Sequence, residues 1–235
     1  MKCRLCLQEK ELVNSHILPN FFYKHIWKND KRLVLKNNPK IRTVKYQGGV
    51  KEFLLCKDCD GIKISQLESY AKQIIIENEN YEERFDRFLF TDVDYHKFYL
   101  FQISLLWRMS VSSDVMFDDV RIGKYEENLR LSLLNENSSK INEFGCVIAK
   151  PINYPSDMNK AILKPVFTSK DGINIYVLYM NGLVWMFFVS EHLFLAPIQE
   201  FFLQRNSVLP IVKDTRNSTL NFVFNYLREF ANSQH

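Results

Sequence analysis

The chain has 235 residues, of which 46% are hydrophobic and 25% are charged, and it contains only 7 Gly and 7 Pro. This composition is typical of a globular protein with a sizeable core, and it excludes the collagen-like, low-complexity and disordered classes. The net charge of +4 hides an asymmetry, because residues 1–63 contain 14 Lys and Arg against 6 Asp and Glu, whereas the remainder is acidic.

Two cysteine pairs, each with two residues between its members, are the main chemical feature of the sequence. A pair with this spacing presents two thiolates to one tetrahedral ion, and two such pairs complete a shell with no open position. We therefore predict one structural zinc per chain, held by Cys3, Cys6, Cys56 and Cys59. The remaining cysteine, Cys146, lies in an apolar run and is expected to be a buried small hydrophobic residue.

The first third of the chain predicts two helices and several short strands. The first helix spans residues 18–27 and is entered by Pro19 in its first turn. The pair Gly48-Gly49 predicts a turn into a strand that ends at the second cysteine pair. The second helix runs from about Cys59 to Glu77, where apolar residues recur at helical spacing. The predicted strands are residues 33–35, 41–44 and 52–56.

A run of basic residues separates the two cysteine pairs in sequence and must return close to the zinc in space. Such a surface suits contacts with phosphates, which supply affinity that does not depend on nucleic-acid sequence. The alternative is that the run is simply a solvated face of the protein. The candidate nucleic-acid-binding residues are Lys28, Lys31, Arg32, Lys36, Lys40, Arg42, Lys45 and Lys63.

The second half of the chain predicts two helices followed by an antiparallel sheet. A strongly apolar stretch, residues 95–109, predicts a buried helix, and residues 125–134 predict a shorter one. Asn181-Gly182 predicts a type I′ hairpin, because both central residues of that turn need positive φ. A last helix, residues 215–230, carries apolar residues on one face and is expected to pack on the sheet. The predicted strands are residues 145–151, 161–168, 174–180 and 183–190.

No stretch of the sequence predicts a membrane segment or a leader. The most apolar run, residues 183–189, is far shorter than the roughly 18 residues that a helical span needs, and the N-terminus lacks the pattern of a signal peptide. We therefore expect a cytoplasmic protein in which the paired cysteines bind metal rather than form disulfides. The second half contains no Gly-rich phosphate loop and no nucleophile elbow, so its sequence does not indicate a role.

Residues 3–68 resemble the treble-clef form of the HNH (ββα-metal) endonucleases. The resemblance lies in the two cysteine pairs, in the run Ser15-His16-Ile17-Leu18-Pro19 between them and in the Asp60 that follows the second pair. It implies that His16 is the general base on a water molecule and that Mg²⁺ or Mn²⁺ offsets the charge on a scissile phosphate. Ser15 stands where the family usually has a metal-binding Asp or His, and Asp60 stands where it usually has His or Asn.

Helical spacing adds one further candidate ligand for the catalytic ion. Asp60 and Glu68 are eight residues apart in the second predicted helix, with Ile64 midway, so a regular α-helix places them along one stripe. Glu68 is therefore a candidate to reinforce a carboxylate site with Asp60. The alternative is an exposed helix carboxylate, which is the commoner fate of such a residue.

Taken together, the patterns predict an α+β fold with an N-terminal zinc module, a helical middle and a C-terminal antiparallel sheet with a closing helix. The resemblance implies that the zinc module is a treble clef of the ββα-metal type. We expect two domains, residues 1–80 and residues 81–235. The resemblance places the nuclease function in the first domain and leaves the second without an assigned role.

The resemblance implies a nuclease that cuts DNA or RNA, and proteins of this kind often serve as effectors in bacterial phage defence beside a partner ATPase or sensor. A hypothesis of another class is a zinc-stabilised module that binds nucleic acid or protein without catalysis. Ser15 favours it, as does the lack of an Asn that the family often places before the second cysteine pair. A third hypothesis is a zinc-stabilised regulatory subunit with no nucleic-acid role. A His16 facing a cleft near Asp60 favours the enzyme, whereas a buried His16 that donates to a backbone carbonyl favours the binding module.

Overall fold

The computed structural model describes residues 1–26, 32–35, 44–137, 143–151, 162–193 and 197–213. Over these ranges the protein is a mixed α+β structure with a seven-stranded sheet and two small two-stranded sheets, which confirms the predicted class. The predicted C-terminal helix, residues 215–230, lies outside the described residues. No helix in the described ranges is both long and apolar enough to cross a bilayer.

An antiparallel strand pair followed by a helix forms the N-terminal part. Strand β1, Leu12–His16, pairs with β4, Lys51–Cys56, and the register shifts between Val13 and Asn14 because Leu54 of β4 has no partner in β1. The chain between them forms a short helix and a second antiparallel pair. These intervening elements are α1, Asn20–Ile26, β2, Arg32–Leu35, and β3, Val44–Gln47.

The helix predicted from Cys59 to Glu77 is present, but its geometry changes twice. Helix α2 consists of a π-helical piece, Cys59–Ile64, an α-helical piece, Ser65–Lys72, and a second π-helical piece, Gln73–Glu77. A π-helix has a wider turn than an α-helix because its hydrogen bonds join residues five apart. The four-residue stripe that was expected to align Asp60 with Glu68 therefore does not hold over the first piece.

The large sheet has the strand order β5-β6-β11-β7-β10-β9-β8. Two parts of the prediction are wrong. Strand β11 pairs with β7 in parallel, so the sheet is not purely antiparallel, and the middle of the chain opens with the strands β5 and β6 before its helices begin. The elements are β5, Tyr81–Glu83, β6, Arg87–Phe90, α3, Tyr95–Val111, α4, Tyr125–Leu134, β7, Phe144–Lys150, β8, Val166–Lys170, β9, Ile173–Met180, β10, Leu183–Val189, and β11, Leu209–Lys213.

The hairpin between β9 and β10 confirms the strongest turn prediction. Asn181 has a φ of 53° and Gly182 a φ of 73°, so both central residues adopt the positive φ that a two-residue hairpin of this type needs. The turn sets β9 and β10 in a register that pairs Leu183 with Met180. Strand β10 is buried along its whole length, which places it at the centre of the core.

Helix α3 connects the N-terminal part to the sheet. Every residue from Phe98 to Ser110 is buried. The Phe101 ring lies 6.3 Å from the ring of Phe21 on α1 and 6.1 Å from the ring of Trp185 on β10. The hydrophobic core is therefore continuous across residue 80, and the division into two domains at that point stays a prediction.

Candidate metal centre and the adjoining histidine

The four cysteines of the two pairs converge on one point. Their sulfur atoms all lie within 4.8 Å of one another, and the Cys6 and Cys56 sulfurs are 3.9 Å apart. The first two ligands come from the loop before β1, Cys56 ends β4 and Cys59 begins α2. In the part of the chain that the structure describes, this is the one group of three or more His, Cys, Asp or Glu side chains placed to hold an ion. The four predicted ligands therefore lie close enough together to hold one metal ion, which is consistent with the predicted structural zinc.

Backbone hydrogen bonds shape the loop that carries the first cysteine pair. The Leu7 N–H donates to the Cys3 carbonyl at 2.9 Å, and Leu7 adopts a positive φ of 58°. The Arg4 N–H donates to the Leu54 carbonyl at 3.1 Å, which ties the loop to β4. The Cys56 N–H donates directly to the Cys3 sulfur at 3.3 Å. The loop therefore holds its thiols against the strand that supplies the third ligand.

The surroundings of the thiols favour the anionic form at one sulfur in particular. Burial acts to raise the pKa of the Cys3 thiol, but N–H donors from the backbone of Cys6 and Cys56 outweigh it and lower that pKa to about 7. Burial raises the pKa of Cys6 and of Cys59. A bound cation would deprotonate the remaining thiols, because thiolates are the ligating form. Four sulfur ligands with no open position suit zinc in a structural role.

Cys146 takes no part in this centre. It lies on β7 with 2% of its surface exposed, and burial raises the pKa of its thiol well above the usual value. A buried thiol in apolar surroundings is unreactive. The structure therefore agrees with the expectation that Cys146 is a buried small hydrophobic residue.

His16 ends strand β1 and lies opposite Lys51 on β4. Its imidazole is partly buried, and the Nε2 atom is 3.2 Å from the carbonyl oxygen of Gly48. A carbonyl can only accept, so Nε2 must carry the proton in this contact. In the neutral ring the other nitrogen, Nδ1, is then the one able to accept a proton.

The electrostatic surroundings keep this imidazole neutral. Burial lowers the pKa of His16 below its ordinary value of 6.5, and the positive charge of Lys51 lowers it further. The hydrogen bond to Gly48 opposes this shift, while the charge of Arg108 adds to it. The negative charge of Asp60 acts in the opposite sense and raises the pKa by a smaller amount. A neutral imidazole near pH 7 can serve as a proton acceptor.

Two other residues of the predicted site, Ser15 and Glu68, have hydrogen-bond partners of their own. Ser15 is 1% exposed, and its hydroxyl donates to the Val13 carbonyl at 3.3 Å. Glu68 accepts a hydrogen bond from Arg108 at 2.6 Å. Asp60 lies in the first turn of α2, directly after Cys59, and is partly buried. Asp60 is therefore the predicted carboxylate ligand that is not engaged by Arg108.

The structure describes little of the predicted nucleic-acid surface. Arg32 and Lys45 lie on the paired strands β2 and β3. Lys63 lies on α2 and forms an ion pair with Glu136, so its charge is partly neutralised within the protein. The other predicted basic residues, Lys28, Lys31, Lys36, Lys40 and Arg42, lie outside the described residues.

Sequence reasoning missed the role of one residue at this site. Arg108, on α3, is 1% exposed and donates to the His16 carbonyl at 2.9 Å. It also forms the hydrogen bond to Glu68 described above. The signal in the sequence was an arginine inside a strongly apolar predicted helix, because a charge in such a place needs a partner. The identity of that partner, 40 residues away in sequence, could not be read from the pattern.

Comparison of the chain with known protein families, with curated proteins and with solved structures gives no match. The geometry of the four cysteines and of His16 is therefore the basis on which a function can be assigned.

Proposed function

We propose that the protein is a metal-dependent nuclease of the HNH type, with His16 as the general base and a structural zinc held by the four cysteines. The observation that carries the proposal is the placement of His16 on the same strand-strand-helix unit as the cysteine cluster. Strand β1 presents His16, β4 ends in Cys56, and α2 presents Asp60 beside Cys59. The ββα-metal endonucleases that the sequence resembles use the same order of elements.

The state of the imidazole supports this role. Because Nε2 faces the Gly48 carbonyl, the neutral ring keeps Nδ1 as its basic nitrogen. Burial and the charge of Lys51 hold the pKa of His16 below 6.5, so the ring is unprotonated at neutral pH. His16 would take a proton from the attacking water, a step that typically contributes about 10²- to 10⁴-fold in rate.

A divalent cation would supply the other half of the chemistry. Mg²⁺ and Mn²⁺ stabilise the negative charge that develops on a phosphate during hydrolysis. Asp60 would hold such an ion together with phosphate oxygens, since a carboxylate is the kind of ligand that these cations prefer. The basic segment between the cysteine pairs would bind the nucleic-acid backbone without regard to sequence.

A second candidate function is a zinc-stabilised module that binds nucleic acid or protein without cutting it. Specific contacts favour it: Ser15 donates to a backbone carbonyl, Glu68 is held by Arg108, and Lys63 is paired with Glu136. The hydrogen bond from His16 to Gly48 is also the contact expected of a non-catalytic histidine. In this alternative the cation site is reduced to Asp60, which is weak for a hard cation.

Cleavage assays separate the two candidates. Purified protein is incubated with plasmid DNA and with RNA in buffer without divalent cations, and then with Mg²⁺ or Mn²⁺ added. A strong chelator is avoided, because it can also remove the structural zinc. The nuclease proposal expects cleavage that depends on the added cation and that Asp60→Ala weakens. Binding without cleavage under every condition, also with cell extract added to restore a partner ATPase or sensor, would instead favour the binding module.

A further inference from the structure

Arg108 is a charged residue in the interior of the protein, with 1% of its surface exposed. Its Nη1 atom donates to the His16 carbonyl at 2.9 Å and to Glu68 Oε1 at 2.6 Å, and its Nε donates to the Ser104 carbonyl at 3.2 Å. The Nη2 atom is buried and has no acceptor among the described residues. One guanidinium group therefore joins β1, α2 and α3 beneath the predicted catalytic histidine.

A buried guanidinium group is costly unless its charge is offset and its N–H groups have acceptors. Glu68 offsets the charge, and the carbonyl of His16 supplies one acceptor. Both bonds leave Nη1, whose two N–H groups have fixed directions in the guanidinium plane, so a shift of the end of β1 relative to α2 would strain or break one of them. The same helix α2 carries Asp60 in its first turn.

We infer that Arg108 and Glu68 are positioning residues that hold His16 at a fixed place relative to Asp60. This inference rests on the nuclease proposal for its effect on catalysis, although the positioning itself can be measured without it. Arg108 lies in α3 and is shielded from solvent, so it acts through the backbone of His16 and does not touch nucleic acid. Its loss should lower kcat by about 10- to 100-fold and leave KM unchanged, since a misplaced group typically costs this much.

The protein contains a matched control for this test. Arg130 on α4 is also buried, at 8% exposure, and also donates to a backbone carbonyl of the N-terminal part, that of Leu5 at 2.6 Å. It is paired with Glu127 at 2.7 Å, as Arg108 is paired with Glu68. Leu5 lies between Cys3 and Cys6, away from His16 in sequence. Arg130 therefore resembles Arg108 in joining a carboxylate to a backbone carbonyl, although its partner Glu127 is more exposed than Glu68, and its acceptor is Leu5 rather than His16.

The experiment compares two double variants. One combines Arg108→Met with Glu68→Gln, and the other combines Arg130→Met with Glu127→Gln. Each double variant removes a whole charged pair, so neither leaves a buried charge without its partner. Both are assayed at equal zinc content for kcat and KM. The imidazole ¹⁵N signals of His16 are recorded by NMR in the same samples. Arg108→Lys, which keeps the charge but loses the planar fork, is included to separate charge from geometry.

The expected result is a 10- to 100-fold lower kcat and shifted His16 signals in both Arg108 variants, with wild-type kcat and signals in the Arg130 double variant. Unchanged His16 signals in the Arg108 variants, or an equal loss of kcat in the Arg130 control, would overturn the inference. If the wild-type protein cuts nothing, the nuclease proposal fails, and the His16 signals alone then decide the positioning: shifts confined to the Arg108 variants support it, and their absence refutes it.

Discussion

Replacing Gly49 by Ala should destabilise the protein through two separate effects. Gly49 has a φ of +83°, a conformation that costs a residue with a side chain about 1–2 kcal/mol. A Cβ atom there would also lie 2.7 Å from Cε2 of Tyr23 and 2.9 Å from two further ring atoms. The Tyr23 ring is fully buried, and its hydroxyl accepts from the Val50 N–H at 3.2 Å, so it cannot move away freely. Overpacking of this kind costs about 1–3 kcal/mol more.

The adjacent glycine supplies the control for this prediction. Gly48 has nearly the same φ, +82°, but the nearest atom to its added Cβ would be Lys51 Nζ at 4.0 Å. Gly48→Ala should therefore lose about 1–2 kcal/mol and Gly49→Ala about 2–5 kcal/mol of unfolding free energy. Urea denaturation followed by tryptophan fluorescence measures both. Equal losses in the two variants would refute the proposed contact between Gly49 and Tyr23.

Three further predictions concern the metal, the histidine and the basic segment. Cys56→Ser should lower the zinc content below one per chain and reduce the soluble yield, because a structural zinc contributes to folding. Elemental analysis measures the zinc content, and an undiminished content would contradict the assignment of Cys56 as a ligand. Lys51→Met should raise the pKa of His16 in an NMR titration, because the positive charge of Lys51 disfavours protonation of the imidazole. An unchanged titration midpoint would show that Lys51 does not lower the pKa of His16. The pKa of His16 is lower in the folded protein than in the unfolded chain, where it is about 6.5. Protonation of His16 therefore favours unfolding, and the unfolding free energy should fall as the pH drops from about 6.5 through the folded-state pKa. Alanine at four basic positions should weaken nucleic-acid binding equally across sequences and flatten its salt dependence, whereas unchanged binding would place the surface elsewhere. These four positions are Lys36, Lys40, Arg42 and Lys45.

The metal ligands could be predicted from the sequence because the spacing of each cysteine pair is local and specific. Two residues between cysteines suffice to present both sulfurs to one ion, whatever the rest of the fold does. The pairing of the two motifs across about fifty residues followed from ligand number alone. The surroundings of His16 were different, because they depend on Gly48, Lys51 and Arg108, which come from three separate elements. No local sequence pattern predicts these contacts.

Elements with a clear local sequence pattern were predicted well, whereas the strands β1, β5, β6 and β11 were not predicted. The helix at Tyr125–Leu134 and the hairpin at Asn181-Gly182 agree with the sequence patterns. Strand β1 was missed because its five residues, Leu12–His16, carry apolar side chains only at the first two positions and so show no alternation. The parallel pairing of β11 with β7 was missed because it joins segments about sixty residues apart, and pairing of distant strands leaves no signal in a single sequence.

Cation-dependent cleavage of plasmid DNA is the decisive assay for His16 as the base of a nuclease. Wild-type protein, His16→Ala and His192→Ala are compared with Mg²⁺ or Mn²⁺ at equal zinc content. His192 is the control histidine, because it is exposed, lies just after β10 and belongs to no part of the proposed site. A catalytic role for His16 predicts that His16→Ala binds DNA as tightly as wild type but cuts about 10²- to 10⁴-fold more slowly, while His192→Ala cuts normally. Wild-type cleavage rates in His16→Ala would contradict it.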